Sequence, residues 1–415
     1  MQYRTMPNSD EKLSVLGFGC MRLPAPKGRQ PKFFSSIDKE RAAEQIRYAI
    51  DRGVNFLDTA YVYHAGTSES FLGEYVLKDG YREKVNISTK LPCMTINKKE
   101  NMEKILNKQL KRLQVEYIDY YLLHGLNGDI WDKMLSLGVI NFMDKIRKQG
   151  KARRMGFSFH GSKEDFKKII DAYNWEFVLV QFNILDEHAQ AGIEGIKYAR
   201  SKGLGIFVME PLRGGSLASK IPGEAQRIYD SAPVKRTPAE WALRWVWNHP
   251  EVTMVLSGMN NEKHIDENIK IASEALPNSL SDTELIVIGN FKESYLHSLQ
   301  VKCTGCSYCM PCPADINIPN AFLYLNNYHM SSKIEALVLY ILNAGIHVKD
   351  GKPHWTKNCI NCGKCEKICP QGIKIREVFK HVQKDLEGPI MRAMAKIFRV
   401  FINRGNRENN RTISQ

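Results

Sequence analysis

The 415-residue sequence lacks the features that would place it in a membrane or send it through the secretory route. It contains no run of about 18 uncharged apolar residues, so we expect no membrane-spanning helix. Its N-terminal residues include no apolar segment of the kind that a secretory signal requires, so we expect a cytoplasmic protein. In such a reducing compartment, closely spaced cysteines are expected to bind metal rather than form disulfides.

Recognisable modules for dinucleotides and nucleic acids are missing as well. The first predicted strand carries Gly17-Phe18-Gly19, but the rest of the Gly-x-Gly-x-x-Gly fingerprint does not follow, which argues against a doubly wound dinucleotide-binding sheet. No nucleic-acid-binding motif occurs, although 59 basic and 45 acidic residues give a net charge of +14. That charge fits a solvated surface, an anionic membrane surface or an acidic protein partner.

Eight β-rich segments alternate with helical stretches between residues 15 and 258. Their near-continuous apolar runs are typical of parallel strands that are covered on both faces. Eight strands, each followed by a helix, predict an α/β protein with a closed (β/α)8 TIM barrel, and an open doubly wound sheet is the alternative. The predicted strands are 15–20, 54–58, 85–90, 117–124, 154–158, 177–182, 204–210 and 253–257.

The C-terminal third predicts a small, mainly helical domain, because the segment 313–358 is too long for a hairpin and suggests helices at 321–328 and 333–344. We therefore predict a barrel over 1–285, a ferredoxin-like domain over 286–380 and a basic tail over 381–415. In the tail, segment 389–402 predicts an amphipathic helix with Arg392, Lys396 and Arg399 on one side. This helix either docks on the protein or contacts a membrane surface or a partner, and residues 403–415 are expected to be disordered.

Four residues at or near predicted strand ends suggest carbonyl reduction: Asp58, Tyr63, Lys90 and His124. Barrel enzymes place their chemistry at the carboxyl ends of the strands. A tyrosine hydroxyl has a pKa near ~10 and releases its proton reluctantly, but a neighbouring ammonium stabilises the phenolate and a carboxylate can balance that ammonium. A neutral histidine can donate to a carbonyl oxygen. Each residue alone could simply be packed, whereas the four together predict a reductase site.

Segments 55–63, 88–90 and 120–124 resemble the aldo/keto reductase family, and the resemblance extends over about residues 1–285. It implies a barrel that binds a nicotinamide cofactor without a Rossmann domain. Tyr63 would be the general acid, Asp58 and Lys90 would tune it, and His124 would orient the substrate carbonyl.

The same resemblance implies a set of cofactor-binding residues. Two of them resemble the pair that binds the nicotinamide carboxamide, the segment 209–215 resembles the loop over the pyrophosphate, and the rest resemble the region that holds the adenosine. The set is Ser158, Gln181, Met209, Pro211, Leu212, Arg213, Gly215, Ser257, Gly258, Met259, Glu267 and Asn268.

Several positions depart from the family pattern. Phe159 replaces an asparagine that usually follows Ser158, and Met209 replaces an aromatic residue that stacks on nicotinamide. The basic residues that usually select NADP fall at Gly258 and His264, with Lys263 as a substitute cation. The family favours NADP, and NAD remains the alternative.

Eight of the ten cysteines form two runs, each closed by Cys-Pro. The second run has the C-x2-C-x2-C-x3-C-P spacing of 4Fe–4S ligands, and the first is one residue shorter before its last cysteine. Because the fourth cysteine of each run commonly binds the other cluster, we expect two quartets. One is Cys303, Cys306, Cys309 and Cys369; the other is Cys359, Cys362, Cys365 and Cys312. Zinc held by four thiolates is the alternative, and Cys20 and Cys93 are expected to pack as small apolar residues.

With these runs appended, the chain resembles the iron–sulfur-containing branch of the family. We therefore predict an NAD(P)H-dependent reductase of an aldehyde or ketone with a two-cluster electron-transfer module. Hydride transfer moves two electrons and a cluster moves one, and no flavin motif is visible. The clusters are thus expected to serve a redox protein partner, an undetected flavin or the fold. The alternatives are a redox-sensing or electron-transfer protein with little turnover, and a regulatory subunit that binds nicotinamide.

Overall fold

The computed structural model describes residues 1–27, 35–219, 221–330, 333–346 and 353–396. The chain divides into two units, which we call the barrel unit (1–218 and 234–288) and the cysteine unit (219–233 and 289–415). The predicted limits of the three segments, at 285 and 380, stay a prediction. Among the described residues, no helix is both long and apolar enough to cross a bilayer.

The described strands form a short hairpin and a closed barrel. The hairpin consists of β1 (Tyr3–Thr5) and β2 (Lys12–Ser14), which pair in antiparallel fashion. The barrel strands are parallel and close in the order β10-β3-β4-β5-β6-β7-β8-β9, which confirms the predicted (β/α)8 barrel. They are β3 (Leu16–Gly19), β4 (Phe56–Asp58), β5 (Asn86–Leu91), β6 (Ile118–Leu126), β7 (Ala152–Phe159), β8 (Phe177–Gln181), β9 (Gly205–Met209) and β10 (Val252–Ser257).

Helices follow the barrel strands and continue into the cysteine unit. Those up to the end of the barrel sequence are α1 (Lys39–Asp51), α2 (Ser68–Phe71), α3 (Glu100–Leu113), α4 (Gly128–Ser136), α5 (Val139–Lys148), α6 (Lys163–Asp171), α7 (Gly192–Ser201), α8 (Ser216–Ser219), α9 (Gly223–Ser231), α10 (Pro238–Trp247) and α11 (Glu262–Glu274). The remaining helices are α12 (Asp282–Ser298), α13 (Ile318–Met330), α14 (Lys333–Tyr340), α15 (Lys364–Lys367) and α16 (Ile375–Leu386).

The start of α10 shows how the sequence fixes a boundary. Thr237 is the N-cap, its hydroxyl accepts from the backbone N–H of Glu240, and Pro238 occupies the first turn. This N-cap fixes the helix start, because the side-chain oxygen satisfies a backbone donor that has no partner within the helix.

A closed ring of aromatic side chains fills the barrel interior. Phe56, Tyr120, Phe177 and Phe207 come from four different strands, and successive ring centroids lie 5.0 to 5.2 Å apart. Gly156 on β7 leaves the space that these rings need, because a Cβ there would lie 2.6 Å from ring atoms of Phe177. The barrel is thus a packed core at this level rather than a pore.

The cysteine unit is mainly helical, as predicted. Its core joins residues of α13 and α16 to the segment before the second cysteine run, and Phe322, Tyr340, Trp355 and Phe379 are buried within it. In the predicted tail helix, residues 389–396 are helical. The rest of that prediction, including Arg399 and the expected disorder of 403–415, lies outside the described residues.

Candidate functional site

The strand period of two places Asp58 and His124 above the aromatic ring. Side chains two or four positions beyond a ring residue point to the same side of the strand, which places Asp58 beyond Phe56 and His124 beyond Tyr120. Lys90 lies at the matching end of β5, since Asp58 is in register with Ser88. Three of the four predicted residues therefore project from the carboxyl ends of β4, β5 and β6.

Lys90 is the centre of the hydrogen-bonded cluster. Its Nζ donates to Oδ1 and Oδ2 of Asp58 and to the carbonyl oxygen of Thr59, each at 2.7 Å, and it lies 3.3 Å from the hydroxyl of Tyr63. The hydroxyl of Ser88 also donates to Asp58 Oδ1, at 2.5 Å. Three close acceptors match the three N–H bonds of an ammonium group, so Lys90 is held in the direction of Tyr63.

Tyr63 reaches this cluster because the loop after β4 turns sharply. The next two residues, His64 and Ala65, have positive φ angles of 51° and 54°, a conformation that costs non-glycine residues energy and is found at functional sites. The Tyr63 ring meets the His124 ring edge-on, with centroids 6.2 Å apart. The structure thus brings all four predicted residues together.

The four groups are almost sealed from solvent. The exposed fractions are 1% for Lys90, 5% for Asp58, 6% for Tyr63 and 7% for His124. Burial lowers the pKa of Lys90, and the Asp58 carboxylate opposes that shift. Burial, and then the charge of Lys90, holds the pKa of His124 well below its usual 6.5. His124 is therefore a neutral imidazole at pH 7, a form that donates a hydrogen bond without carrying charge.

A buried carboxylate behind the tetrad was not found from the sequence. Glu69, on α2, accepts from Thr89 at 2.6 Å, from Gln109 at 2.8 Å and from Arg112 at 3.0 Å. Gln109 also donates to the carbonyl oxygen of Lys90, at 3.0 Å. These bonds tie the loop that carries Tyr63 to β5 and α3. A Glu-Ser-Phe-Leu-Gly segment shortly after Tyr63 was the available signal, but nothing in it marks the glutamate as buried.

A second polar network crosses the mouth of the barrel from β7 to the loop after β9. Gln181 donates to Asp186 at 2.9 Å and accepts from Gln190 at 3.2 Å, and Gln190 in turn lies 3.1 Å from Nδ1 of His160. Arg213 donates to the same Asp186 oxygen at 3.1 Å. This network orients Gln181, and sequence patterns alone did not connect its members.

His160 brings a second imidazole to this mouth. It follows Phe159, the last residue of β7, and its Nδ1 lies 3.1 Å from Oε1 of Gln190. Burial lowers the pKa of His160 to about 4. Phe159 is fully buried and packs on Phe157 and on Phe166 of α6. It therefore faces the helix layer and not the side on which the nicotinamide carboxamide is expected. His160, the next residue, joins the network of Gln190 and Gln181 instead.

The predicted pyrophosphate loop is built around a buried arginine. Arg213 is 2% exposed, with its Nε committed to Asp186, and its Nη2 is a buried donor without a hydrogen-bond partner in the described structure. Gly214 and Gly215 have φ angles of 66° and 92°, which glycine adopts at no steric cost. Arg22, from the loop after β3, donates to the carbonyl oxygen of Gly214 at 3.1 Å.

The remaining predicted cofactor residues line the same end of the barrel. Ser158 accepts from the backbone N–H of Gly125 at 2.7 Å. Asn268 donates to the hydroxyl of Ser257 at 3.0 Å, and Glu267 accepts from Thr237 at 2.5 Å. Met209 is the last residue of β9 and packs against the interior core. Lys263 and His264 are exposed in the first turn of α11.

The cysteines of the two runs mix in space. A cavity of about 160 Å³ is bordered by cysteines of both runs, namely Cys309, Cys312, Cys359, Cys362 and Cys365. Around Cys309, burial and then Cys306, Cys303 and Cys369 raise the thiol pKa. Around Cys365, burial and Glu366 raise the pKa, with smaller effects of Cys312 and Cys359. Cys369 of the second run thus lies near Cys309 of the first, and Cys312 of the first run lies near Cys365 of the second.

A buried glutamate anchors the approach to the second run. Glu387 accepts from the hydroxyl of Tyr340 at 2.5 Å and from the backbone N–H and hydroxyl of Thr356 at 2.6 and 2.8 Å. Cys20 and Cys93, in the barrel unit, are fully buried.

A closed (β/α)8 barrel followed by a helical unit with two cysteine runs defines an iron–sulfur-containing barrel oxidoreductase. Residues 15–282 match the model of the aldo/keto reductase family, and residues 302–373 match a 4Fe-4S dicluster domain. Because the first match covers more than half of the chain, this protein belongs to the aldo/keto reductase family and carries an appended iron–sulfur domain.

Individual relatives are distant but cover the barrel. The chain is 26% identical over 308 residues to probable aldo-keto reductase 1 of Glycine max. The matched segment covers 66% of this chain and 84% of the relative. An aldo-keto reductase from Bacillus halodurans in its holo form matches with a TM-score of 0.58 and 26% identity, over 70% of this chain and 96% of that one. An aldo-keto reductase from Klebsiella pneumoniae in complex with NADPH matches in fold with a TM-score of 0.57 and 21% identity, over 71% and 96% of the two chains.

Proposed function

We propose that the barrel reduces an aldehyde or ketone with NADPH, and that Tyr63 is the general acid. The observation that carries the proposal is the contact of a buried ammonium, held by three acceptors, with the Tyr63 hydroxyl at 3.3 Å. An ammonium in that position stabilises the phenolate that remains after proton transfer.

The residues at the mouth fit a nicotinamide dinucleotide. The buried and unpartnered Nη2 of Arg213 suits an anionic oxygen, and the adjacent glycines leave backbone room for it. Gln181, fixed by Asp186 and Gln190, offers both a donor and an acceptor, which a carboxamide requires. We propose NADPH over NADH because the Klebsiella relative was solved with NADPH and because Lys263 lies exposed near the predicted adenosine site.

Each side chain of the tetrad has a separate role in the proposed proton transfer. A bound reduced nicotinamide supplies the hydride for the carbonyl carbon. Tyr63 donates its hydroxyl proton to the carbonyl oxygen, and Lys90 stabilises the phenolate that forms. Asp58 holds Lys90 in place, while neutral His124 donates a hydrogen bond that orients the carbonyl oxygen. The near-complete burial of these groups excludes water and strengthens each interaction.

The cysteine unit is proposed to hold two 4Fe–4S clusters with crossed ligands. Cys303, Cys306, Cys309 and Cys369 would bind one cluster, and Cys359, Cys362, Cys365 and Cys312 would bind the other. The mixing of the two runs supports this assignment, as does the match to a dicluster domain. The partly buried cysteines also pack against the apolar core of the unit, a surrounding that tunes cluster potential.

The experiment that tests the function compares Tyr63→Phe with Tyr61→Phe, a change on the same loop. Both proteins are purified anaerobically and assayed by NADPH absorbance with a panel of aldehydes and ketones. Loss of general acid catalysis lowers kcat by about 10²- to 10⁴-fold in Tyr63→Phe, whereas Tyr61→Phe should retain activity. Equal activity of Tyr63→Phe and the unaltered protein would refute the assigned acid. Tight NADPH binding without turnover of any carbonyl would favour the alternative, a redox-sensing protein.

Metal analysis of the same preparations tests the cysteine unit. About eight irons and eight sulfides per chain are expected for two clusters. Two zinc ions instead of iron would refute the proposed clusters.

A further inference from the structure

The surface of the cysteine unit is uneven in charge and exposure around its two runs. In segment 357–376, which contains the second run, there are five basic residues and one acidic residue; in segment 302–315, which contains the first, there is one of each. Cys362 of the second run is exposed, whereas the four cysteines of the first run are all at least partly buried. The second run is thus both the more accessible and the more basic.

The basic residues of the second run form what we call the lysine rim: Lys357, Lys364, Lys367 and Lys374. All four side chains are exposed, and Lys364 borders the cavity that the cysteines share. Within the described part of the chain, none of the four forms an ion pair. The single acidic residue of the segment, Glu366, is instead held by Arg376 at 2.6 Å.

One exposed apolar side chain, Ile360, borders the same cavity as Lys364. Ile360, between the first two cysteines of the second run, is 63% exposed. Polar neighbours Asn358 and Asn361 are exposed beside it. A small apolar centre within a charged rim is the composition of weak, short-lived protein contacts such as those of electron carriers.

We propose that the lysine rim docks an acidic one-electron carrier protein, with the cluster of Cys359, Cys362, Cys365 and Cys312 as the point of electron exchange. The inference rests on the proposed two-cluster function. In the exchange the reduced carrier loses one electron and the cluster gains one, or the reverse, and no bond forms or breaks. Such a partner matches the one-electron chemistry of a cluster, which hydride transfer does not.

The small apolar area around the lysines favours this partner over a lipid surface. Unpaired lysines around a redox centre attract an acidic protein over distances of about a Debye length and raise its rate of encounter. A membrane contact needs a larger apolar face, and Ile360 alone does not provide one at this site.

The test measures electron exchange between the anaerobic holoprotein and an acidic 2Fe–2S ferredoxin. One protein is reduced and freed of excess reductant, the other is oxidised, and the pair is mixed in the direction that their potentials allow. The second-order rate constant is followed by stopped-flow absorbance. For the unaltered protein this constant should fall steeply as the salt concentration rises, because salt screens the steering charges.

The variant that removes the charge is Lys364→Gln/Lys367→Gln/Lys374→Gln. Its matched control, Lys104→Gln/Lys148→Gln/Lys197→Gln, removes the same net charge from exposed lysines of α3, α5 and α7. Since steering raises association rates by about 10- to 10³-fold, we expect the rim variant to lose about tenfold in rate at low salt and most of its salt dependence. The control should change less than about twofold on the same grounds.

Three outcomes overturn the proposal. One is equal rates for the rim and control variants. Another is sedimentation of the protein with phosphatidylserine vesicles that depends on the rim lysines, which would assign the surface to lipid. The third is an unaltered protein with four irons per chain or fewer, in which case the two-cluster function itself fails and the docking site with it. Iron content of both variants, measured beside the rates, separates lost docking from a lost cluster.

Discussion

Replacing Lys90 with methionine tests how the site is held together as well as how it works. The change keeps the length of the side chain and removes its charge, so the buried carboxylate of Asp58 keeps Ser88 as its hydrogen-bond donor but loses its counter-ion. Removing one partner of a buried ion pair costs about 3 to 5 kcal/mol. Asp58→Asn should cost a similar amount, because the buried ammonium then loses its counter-ion. Only neutral acceptors remain for it, namely the carbonyl oxygen of Thr59 and the new amide.

The double variant Asp58→Asn/Lys90→Met separates the cost of an unpaired charge from the worth of the pair. With both charges gone, no ion remains uncompensated, and replacement of a whole buried pair is often close to neutral. The double variant should therefore be more stable than either single variant. The two losses should couple by about 4 kcal/mol or more, far beyond the additive behaviour of distant sites. Carbonyl reduction should be absent in all three proteins.

Urea unfolding followed by tryptophan fluorescence measures these differences in the barrel. Five of the six tryptophans, Trp131, Trp175, Trp241, Trp245 and Trp247, lie in the barrel unit. The control is Lys84→Met, which breaks an ion pair of 3.0 Å with Asp51 whose side chains are about half exposed; exposed pairs are worth less than about 1 kcal/mol. A Lys90→Met protein as stable as this control, or a double variant as unstable as the sum of the single variants, would refute the buried-ammonium account.

Three further changes probe the surroundings of the tetrad. Gly73→Ala should lower the thermal midpoint of the barrel, since a Cβ at Gly73 would lie 2.5 Å from the carbonyl oxygen of Arg112. Such overpacking costs about 1 to 3 kcal/mol or more. An unchanged midpoint in calorimetry would contradict this close packing. Glu69→Gln removes the counter-charge of Arg112 and should reduce both stability and kcat, with KM for the carbonyl nearly unchanged, because the loop that carries Tyr63 loses its tie to β5. Finally, because burial lowers the pKa of His160 to about 4 from 6.5, the unfolded chain takes up a proton below pH 6.5 that the folded protein refuses until about pH 4. His160 alone should thus lower the free energy of unfolding by up to about 3 kcal/mol as the pH drops through that window. His160→Asn should remove this part of the fall, measured by urea unfolding at pH 7 and pH 5, and leave the part that comes from other buried histidines such as His124.

The placement of Asp58 and His124 could be predicted from the sequence because it follows the strand period, whereas Tyr63 reaches the site through the turn after β4. Asp58 and His124 lie two and four residues beyond Phe56 and Tyr120, so a correct barrel assignment also fixes their direction. For the cysteines, the spacing predicts 4Fe–4S ligands, and the exchange of the fourth ligands between the two runs stays a prediction.

The supporting networks could not be predicted, because they depend on loops that approach one another across the barrel mouth. Arg213 was expected to face an anion, and the structure adds that its Nε is paired with Asp186. That partner lies 27 positions away in the chain, with no periodicity that links the two. Glu69 and His160 likewise acquire their roles from burial and from neighbours on other elements, which composition does not reveal.

The two redox units differ in the way that their chemistry demands. The tetrad is almost fully buried, and such burial protects a hydride and strengthens the contact of Lys90 with Tyr63. The second cysteine run is exposed at Cys362 and contains exposed lysines that form no ion pair within the described residues, and an electron needs only close approach to leave or enter such a site. One-electron transfer and hydride transfer in a single chain therefore call for separate sites. It follows that removal of the lysine rim should slow exchange with the carrier while NADPH-dependent carbonyl reduction by the barrel continues, and a parallel loss of both would show that the two units share one path.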